Sequence, residues 1–357
     1  MSFSDRVDRL QRRHPVLGFP IAVGYKFFDD LGAYLAALLT YYLFLSIVPV
    51  LLLVSTVLSW VLRGHPDWQQ WLIDSALGEF PVIGDQLKAP GALDGGVGAV
   101  VIGVLGALYG ALGAAQAFQY AANIVWQVPR NSRPNPFAAR GRSIVLLLTV
   151  GAGLLLTTIA GVVVQRYISG TPATVAIHVL GVVLAFAVFL AAFSMGTAAN
   201  LKLADLWVGA LVMAVGWEVL KVYGASYVNT VIKHASAING IFAFVLGIFA
   251  FIYVAAILAV VSMEIDVVLR RKLYPRALLT PFTDDVDLTA GDERAYAGQA
   301  KSMRAKGFQE IEVSFEPPTE QELREGETRP MPSGRQRPDA GMPSATIPGS
   351  ETDEMDG

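Results

Sequence analysis

An uncharged run from Leu31 to Leu62 limits what this chain can fold into more than any other feature. As one α-helix the run would be about 48 Å long at 1.5 Å per residue, whereas a bilayer core needs only about 20 apolar residues. The extra length must tilt, bend or lie outside the hydrocarbon. Pro49 is the expected bend, because proline removes a backbone donor and clashes with the preceding turn. The run therefore predicts a membrane-spanning helix.

Five further apolar stretches follow, each about 18 residues or longer with few or no charges. The chain is 54% hydrophobic and only 16% charged, against roughly 25% charged residues in soluble domains. We therefore predict an all-α fold, a polytopic membrane protein whose residues 31–270 form a six-transmembrane-helix bundle. The predicted spans are 31–62, 97–122, 143–164, 175–199, 206–224 and 240–268.

The two ends of the chain differ in charge from the apolar region. Residues 1–30 form a basic, partly amphipathic arm, which either lies on an anionic membrane surface or is simply solvated. Residues from Pro275 onward carry 9 Lys and Arg against 17 Asp and Glu. Such a segment cannot bury enough apolar surface to offset its ordering entropy. We expect residues 271–357 to be a disordered acidic tail, with a short local element at 294–316 as the alternative.

Lysine and arginine placement predicts the orientation, because the loops richer in these residues stay in the cytoplasm. With six spans, about fourteen lysine and arginine residues fall on the side that holds both termini and about five on the other side. We therefore expect a multi-pass protein of the bacterial inner membrane with cytoplasmic N- and C-termini. No apolar core or cleavage site of a signal peptide follows the N-terminal arginines, so the first span is expected to direct insertion.

The sequence offers little for catalysis. It has no cysteine, which excludes disulfides and thiolate metal sites, and it has no metalloprotease, P-loop or nucleophile-elbow motif. Its histidines fall on different levels or sides of the predicted bundle, so no metal site is expected. His178 is interpreted as a helix-packing histidine rather than a ligand or proton relay. We predict no enzymatic activity and no cofactor.

Polar residues inside the spans are the candidate site, because charge in a membrane is costly and usually faces the bundle interior. Glu218 and Lys221 are three residues apart and can pair. They are either part of a polar pathway or a self-neutralising pair that positions the helix. The full candidate site is Tyr41, Tyr42, Ser46, Gln116, Gln119, Asn123, Glu218 and Lys221.

Small residues predict the packing faces of two spans. One stripe lies on the second span and the other on the fifth, on the side opposite Glu218. Near the end of the sixth span, Glu264 and Asp266 are interpreted as a structural clamp. Their expected partners are Arg270 and Arg271 or the basic loop 123–142. The glycines of the two stripes are Gly103, Gly106, Gly110 and Gly113, and Gly209, Gly216 and Gly224.

Four sequence blocks within about residues 20–270 resemble the YihY/BrkB family of bacterial inner-membrane proteins. The first fits an A-x-x-x-x-Y-Y-x-x-x-S-x-x-P pattern, the second is an Asn-x-x-Trp element, and the third is an approximately spaced Gly, Trp, Lys and Tyr run. The fourth departs from the family pattern, with Ser262, Met263 and Asp266 in place of Gly, Ala and Asn. The matching residues are Tyr41, Tyr42, Ser46 and Pro49; Asn123 and Trp126; Gly209, Trp217, Lys221 and Tyr227; and Glu264.

The resemblance implies six transmembrane helices and a role in the cell envelope. Family members have been labelled envelope-integrity or virulence-associated factors, proposed lipid transporters and, in older usage, ribonuclease BN. The ribonuclease label lacks support here, since such an enzyme needs a basic groove and metal-binding residues in water. We expect membrane lipids as partners and no nucleic acid. Homo-oligomers and envelope-protein partners are both left open.

Three functions are carried forward. The first is that the protein binds or moves a lipid or other amphiphile through a cavity between the spans. The second is a structural, envelope-integrity role without transport, with the two termini recruiting partners. A membrane-associated hydrolase is a remote third, because no clustered carboxylate or histidine site can be assembled from the sequence.

Overall fold

The structure is a computed structural model that describes residues 11, 15–61, 97–167, 170–233, 237–278, 280 and 286–315. All regular structure in these ranges is helical, with short links and turns between the helices. The α-helices described are α1 (Pro15–Asp29), α2 (Gly32–Val61), α3 (Val97–Val125), α4 (Pro136–Tyr167), α5 (Thr171–Gly196), α6 (Trp207–Lys233), α7 (Ala237–Arg271) and α8 (Ala290–Ser302).

The described ranges confirm an all-α membrane architecture. Five helices, α3 to α7, are long and apolar enough to cross a bilayer, and the number becomes six if α1 and the start of α2 form one bent span. That bend is 63° and lies between Asp29 and Gly32, where Leu31 adopts a left-handed φ of 56°. Helix α2 continues through Pro49 as one helix, so the bend that the sequence predicts at Pro49 stays a prediction.

The predicted glycine stripe of the second span is confirmed as a packing face. Gly106 faces Pro49, Gly110 faces Ser46 and Gly113 faces the ring of Tyr42, so the stripe lies against α2. A Cβ atom added at Gly110 would lie 2.6–2.8 Å from the Cβ, Cα and N atoms of Ser46. Because no side chain separates them, the α2 and α3 backbones approach closely here.

The glycine face of α6 is confirmed in the same way and packs on α7. A Cβ at Gly216 would lie 2.7 Å from the side chain of Leu258, and one at Gly224 would lie 2.7 Å from Phe251. Gly209 faces Asp266 and the carbonyl of Ser262. This packing turns the opposite face of α6, which carries the charged residues, toward α5.

Helix α1 corrects the prediction for the N-terminal arm. Neither a surface-bound nor a solvated arm describes residues 15–29, because Ala22 and Lys26 are fully buried and α1 packs against α2 and α7. The apolar residues near Lys26 in α1 are buried in the bundle, and Lys26 contacts its partners there. The arginines at positions 6, 9, 12 and 13 lie outside the described residues.

The prediction of a disordered tail is wrong for residues 290–302, which form helix α8 after the last span. Thr289 and Asp292 make a reciprocal capping box at its start, with Asp292 N donating to Thr289 Oγ1 and Thr289 N donating to Asp292 Oδ2. The expected alternative, a short element at 294–316, falls partly on this helix. Residues 316–357 lie outside the described part of the chain.

Arg276 fixes α8 to the rest of the chain. Its side chain is fully buried and forms ion pairs with Asp292 at 2.5 Å and with Asp29 at 3.0 Å. Burial alone would lower the pKa of Arg276, but the hydrogen bond from its guanidinium to Asp292 and the charge of Asp29 raise it above the ordinary value. The acidic composition of the tail did not indicate helix α8, because Asp292 is buried against a cation rather than solvated.

Candidate functional site

A three-residue polar chain lies between α5 and α6. The Glu218 carboxylate contacts Lys221 Nζ at 3.0 Å through Oε2 and His178 Nδ1 at 2.6 Å through Oε1. The predicted Glu218–Lys221 pair is therefore present. His178 packs between helices as expected, and its partner is Glu218, which the sequence did not indicate. Gly181 makes the approach possible, since a Cβ there would lie 3.2 Å from Glu218 Oε2.

The depth of this polar chain makes it unusual. Glu218 lies about 16 Å along α6 from Trp207 at 1.5 Å per residue, close to the middle of a hydrocarbon core of roughly 30 Å. The side chains of Glu218 and Lys221 are 12% and 14% exposed, whereas that of His178 is 46% exposed. Charged groups at this depth are expensive, so the pair is either part of a polar pathway or a self-neutralising pair that positions α6.

An apolar cavity of about 300 Å³ lies beside the polar chain, at the centre of the bundle. All six long helices, α2 to α7, contribute to its wall, and Lys221 is the charged residue among the described lining residues. Its other lining residues include Leu39, Leu43, Phe118, Leu146, Val150, Thr157, Ala185, Phe189, Met213, Trp217 and Ala256. The cavity therefore combines a large apolar wall with one cation.

The predicted polar stripe of α3 has a different role from the one expected. Gln119 Nε2 donates to Ser143 Oγ at 2.8 Å and to the carbonyl of Ala139 at 3.2 Å, which ties α3 to α4. Asn123 Oδ1 accepts from the backbone N–H of Ala198 at 2.8 Å, which ties α3 to the end of α5. These two side chains join helices and do not line the central cavity.

The polar residues of α2 do not join Glu218 either. Tyr41 was expected to turn inward but is 55% exposed. Ser46 is buried against Gly110, and its hydroxyl donates to the carbonyl of Leu43 in its own helix. The glycine stripe of α3 explains both outcomes, because it fixes which face of α2 meets α3. Tyr42 and Gln116 line a second cavity with Gln119 and Asn123.

Glu264 and Asp266 both tie α7 to other helices, although not through the partners expected. Asp266 Oδ1 accepts from the backbone N–H of Gly209 at 2.7 Å, which satisfies one of the free donors at the start of α6. Glu264 is fully buried and pairs with Lys26 of α1 at 3.3 Å. The expected partner Arg270 instead contacts Asp205 at 2.8 Å.

Two cations cover the C-terminus of α3. Lys26 Nζ donates to the carbonyl of Val125 at 3.1 Å, and Arg271 Nη2 donates to the carbonyl of Trp126 at 2.5 Å. Positive charge is favourable there because the last carbonyls of a helix are unsatisfied and its dipole is negative at that end. This cluster was not predicted from the sequence. A signal was available, since Lys26 is the only charged residue between Arg13 and Asp29.

Lys26 also completes a buried ionic cluster. Its ammonium contacts Asp30 and Glu264 in addition to the Val125 carbonyl, so each of its three N–H groups has one acceptor. Within the described residues, no group of three or more His, Asp or Glu side chains could hold a metal ion. The absence of a cofactor stays a prediction.

The comparisons with known proteins now bear on this architecture. A family model described as virulence factor BrkB matches residues 24–283, which include α2 to α7 and the last six residues of α1. No curated protein and no solved structure gives a significant match. The matched segment contains the central cavity, the polar chain and the Lys26 cluster, whereas α8 lies beyond it. The chain belongs to the virulence factor BrkB family of membrane proteins.

Proposed function

We propose that this protein binds an amphiphile, with the apolar part in the central cavity, and moves it across the membrane. The carrying observation is the cavity itself, which has about 300 Å³ of space and a largely apolar wall with Lys221 in it. This volume lies at the lower end of the range of about 300–1,000 Å³ that small-molecule sites occupy. Lipid chains fit such a wall because they lose nothing by leaving the bilayer for it.

The polar chain supplies the second part of the proposal. Lys221 would contact the polar or anionic end of the amphiphile, and Glu218 would neutralise the lysine while the cavity is empty. His178 would hold the second oxygen of Glu218 in place. A charge without a partner at this depth costs several kcal/mol, so the Glu218–Lys221 pair stabilises the empty site. When a substrate binds, Lys221 would contact the substrate instead of Glu218.

Replacing Ala185 by tryptophan tests the cavity. Ala185 is 7% exposed and lines the cavity, whereas Ala187, two residues on in the same helix, is exposed and does not. We expect Ala185→Trp to abolish movement of a fluorescent phospholipid between the leaflets of reconstituted vesicles, and Ala187→Trp to retain it. A matching apparent unfolding temperature would show that the bundle is intact. The smaller Ala256→Leu change should reduce the rate in part.

Equal rates for wild type, Ala185→Trp and Ala187→Trp would count against transport through this cavity. In the same vesicles, Glu218→Gln should slow movement, because the amide cannot neutralise Lys221. An unaltered rate in that variant would favour the reading in which the pair only positions α6. If no variant loses lipid movement, or if vesicles with the protein move lipid no faster than empty vesicles, the structural, envelope-integrity function is favoured instead.

We place the protein in the bacterial inner membrane with both termini in the cytoplasm. The proposed orientation rests on the excess of lysine and arginine on one side of the spans. It is also supported by the contacts of Gln11 with Arg276 and of Asp29 with α8, which put the two ends of the described chain together. No enzymatic activity is proposed.

The absence of cysteine allows a direct test of orientation. Phe137 and Tyr167 lie at opposite ends of α4 and are 83% and 79% exposed. With a membrane-impermeant maleimide, Phe137→Cys should be labelled in inverted membrane vesicles and Tyr167→Cys in right-side-out vesicles. The reverse pattern would overturn the proposed orientation.

A further inference from the structure

A second cavity, of about 360 Å³, lies between α2, α3 and the link that leads into α4. It is separate from the central cavity, because Leu38 and Tyr42 line it whereas Leu39 and Leu43 line the central one. Its lining residues are Leu38, Tyr42, Gly113, Gln116, Ala117, Gln119, Tyr120, Asn123, Arg133, Pro134 and Ala139. Along α3 it runs from Asn123, near the end of the helix, to Gly113, which is about 15 Å at 1.5 Å per residue.

Arg133 is a cation without a carboxylate partner at this cavity. Its guanidinium lies 5.8 Å from the ring centre of Tyr120, and its Nε donates to the Val128 carbonyl at 3.1 Å. No ion pair to Arg133 occurs within the described residues, so four of its five N–H donors have no partner there. Burial lowers the pKa of Arg133, which reflects the cost of holding this charge unpaired.

The remaining polar groups that line the cavity are neutral and include free hydrogen-bond donors. The Gln116 amide and the hydroxyls of Tyr42 and Tyr120 make no hydrogen bond to other described residues, and all three residues line the cavity. The amide NH2 groups of Gln119 and Asn123 are already used, since Gln119 donates to Ser143 and Asn123 donates to the carbonyl of Gln119 in its own helix. No aspartate or glutamate is among the described lining residues. A cation with free donors and no anion nearby matches an anionic ligand rather than a cation or an apolar chain.

We propose that this cavity binds a phosphate group, with Arg133 as its principal ligand and Gln116 and the two tyrosine hydroxyls as further donors. The guanidinium fork matches phosphate oxygens in pairs. The site lies at an end of the bundle, where basic pockets between transmembrane helices meet lipid headgroups. The phosphate belongs either to a bilayer phospholipid or to a water-soluble phosphate ester. This site is independent of the central cavity.

The test measures binding by the purified full-length protein in detergent, using native mass spectrometry. The probes are phosphatidylglycerol, diacylglycerol with the same chains but no phosphate, and glycerol 3-phosphate. We expect the wild type to bind phosphatidylglycerol about tenfold or more tightly than diacylglycerol, and Arg133→Gln to lose this difference. Arg140→Gln, an exposed arginine of the same basic region, should keep it. Arg133→Lys should fall between, because it keeps the charge but not the fork.

The outcomes separate the two sources of phosphate. Arg133-dependent binding of phosphatidylglycerol without binding of glycerol 3-phosphate identifies a lipid headgroup, and comparable Arg133-dependent binding of glycerol 3-phosphate identifies a soluble ester. Equal affinity of the wild type for phosphatidylglycerol and diacylglycerol, without glycerol 3-phosphate binding, would overturn the proposal. So would equal losses in Arg133→Gln and Arg140→Gln. If Arg133→Gln unfolds, Gln116→Leu provides a second test, because it leaves Arg133 and its hydrogen bond to the Val128 carbonyl in place. Gln116→Leu should weaken phosphate binding severalfold, and unchanged binding would overturn the proposal.

Discussion

Replacing Lys26 by methionine should destabilise the protein by about 3–5 kcal/mol, the usual effect of removing one partner from a buried ion pair. Methionine fills similar space but leaves Asp30 and Glu264 buried without a cation, and it leaves the Val125 carbonyl without a donor. At about 2–4 °C per kcal/mol, the apparent unfolding temperature in detergent should fall by roughly 10 °C. A fluorescence or light-scattering melt measures it.

Two controls make the Lys26 result specific. Lys306 is exposed, and its side chain makes no ion pair within the described residues, so Lys306→Met should leave the melt unchanged. The triple change Lys26→Met, Asp30→Asn and Glu264→Gln removes the two stranded charges and should recover part of the loss. Equal melts for Lys26→Met and Lys306→Met would mean that the cluster contributes no net stability.

Replacing Gly110 by alanine should separate α2 from α3. The new methyl group would lie 2.6–2.8 Å from backbone and Cβ atoms of Ser46, and backbone cannot move aside as the end of a flexible side chain can. Overpacking of this kind costs about 1–3 kcal/mol, and more where backbone must shift. The melt should fall accordingly, and amide exchange in α2 should become faster because that helix loses its closest contact.

Gly151 of α4 provides the matched control. A Cβ there meets nothing within 4 Å, so Gly151→Ala should be neutral or stabilising by about 0.5–1 kcal/mol through its effect on helix propensity. The pair of variants separates close packing from propensity. If Gly110→Ala and Gly151→Ala gave the same change, the predicted contact between α2 and α3 would be wrong.

The packing faces of the helices were predictable because they depend on spacing within one helix. Gly106, Gly110 and Gly113 share a face at 100° per residue, and the structure puts that face on α2. Glu218 and Lys221 were predictable as a pair for the same reason. Helix periodicity needs no knowledge of the neighbouring helix, so the sequence alone is enough.

Contacts between helices were not predictable in this way. The link of residues 197–206 between α5 and α6 does not fix how the two helices slide past each other, so His178 could not be placed opposite Glu218. Lys26 and Glu264 are 238 residues apart, and neither position indicates the other. The tail helix α8 was anticipated only through the alternative element at 294–316, because composition describes an average. The burial of Asp292 depends on its contacts with Arg276, Thr289 and the backbone of Ala277.

The distance along the chain between α1 and its partners also sets the order of assembly. Lys26 is synthesised 238 residues before Glu264, which corresponds to roughly 12–48 s at 5–20 residues per second. Throughout this interval Lys26 has its local partner Asp30 but lacks Glu264, and Asp29 lacks Arg276. The end of the bundle can therefore close only after the last span has been made, and a chain that ends before Glu264 leaves this ionic cluster incomplete.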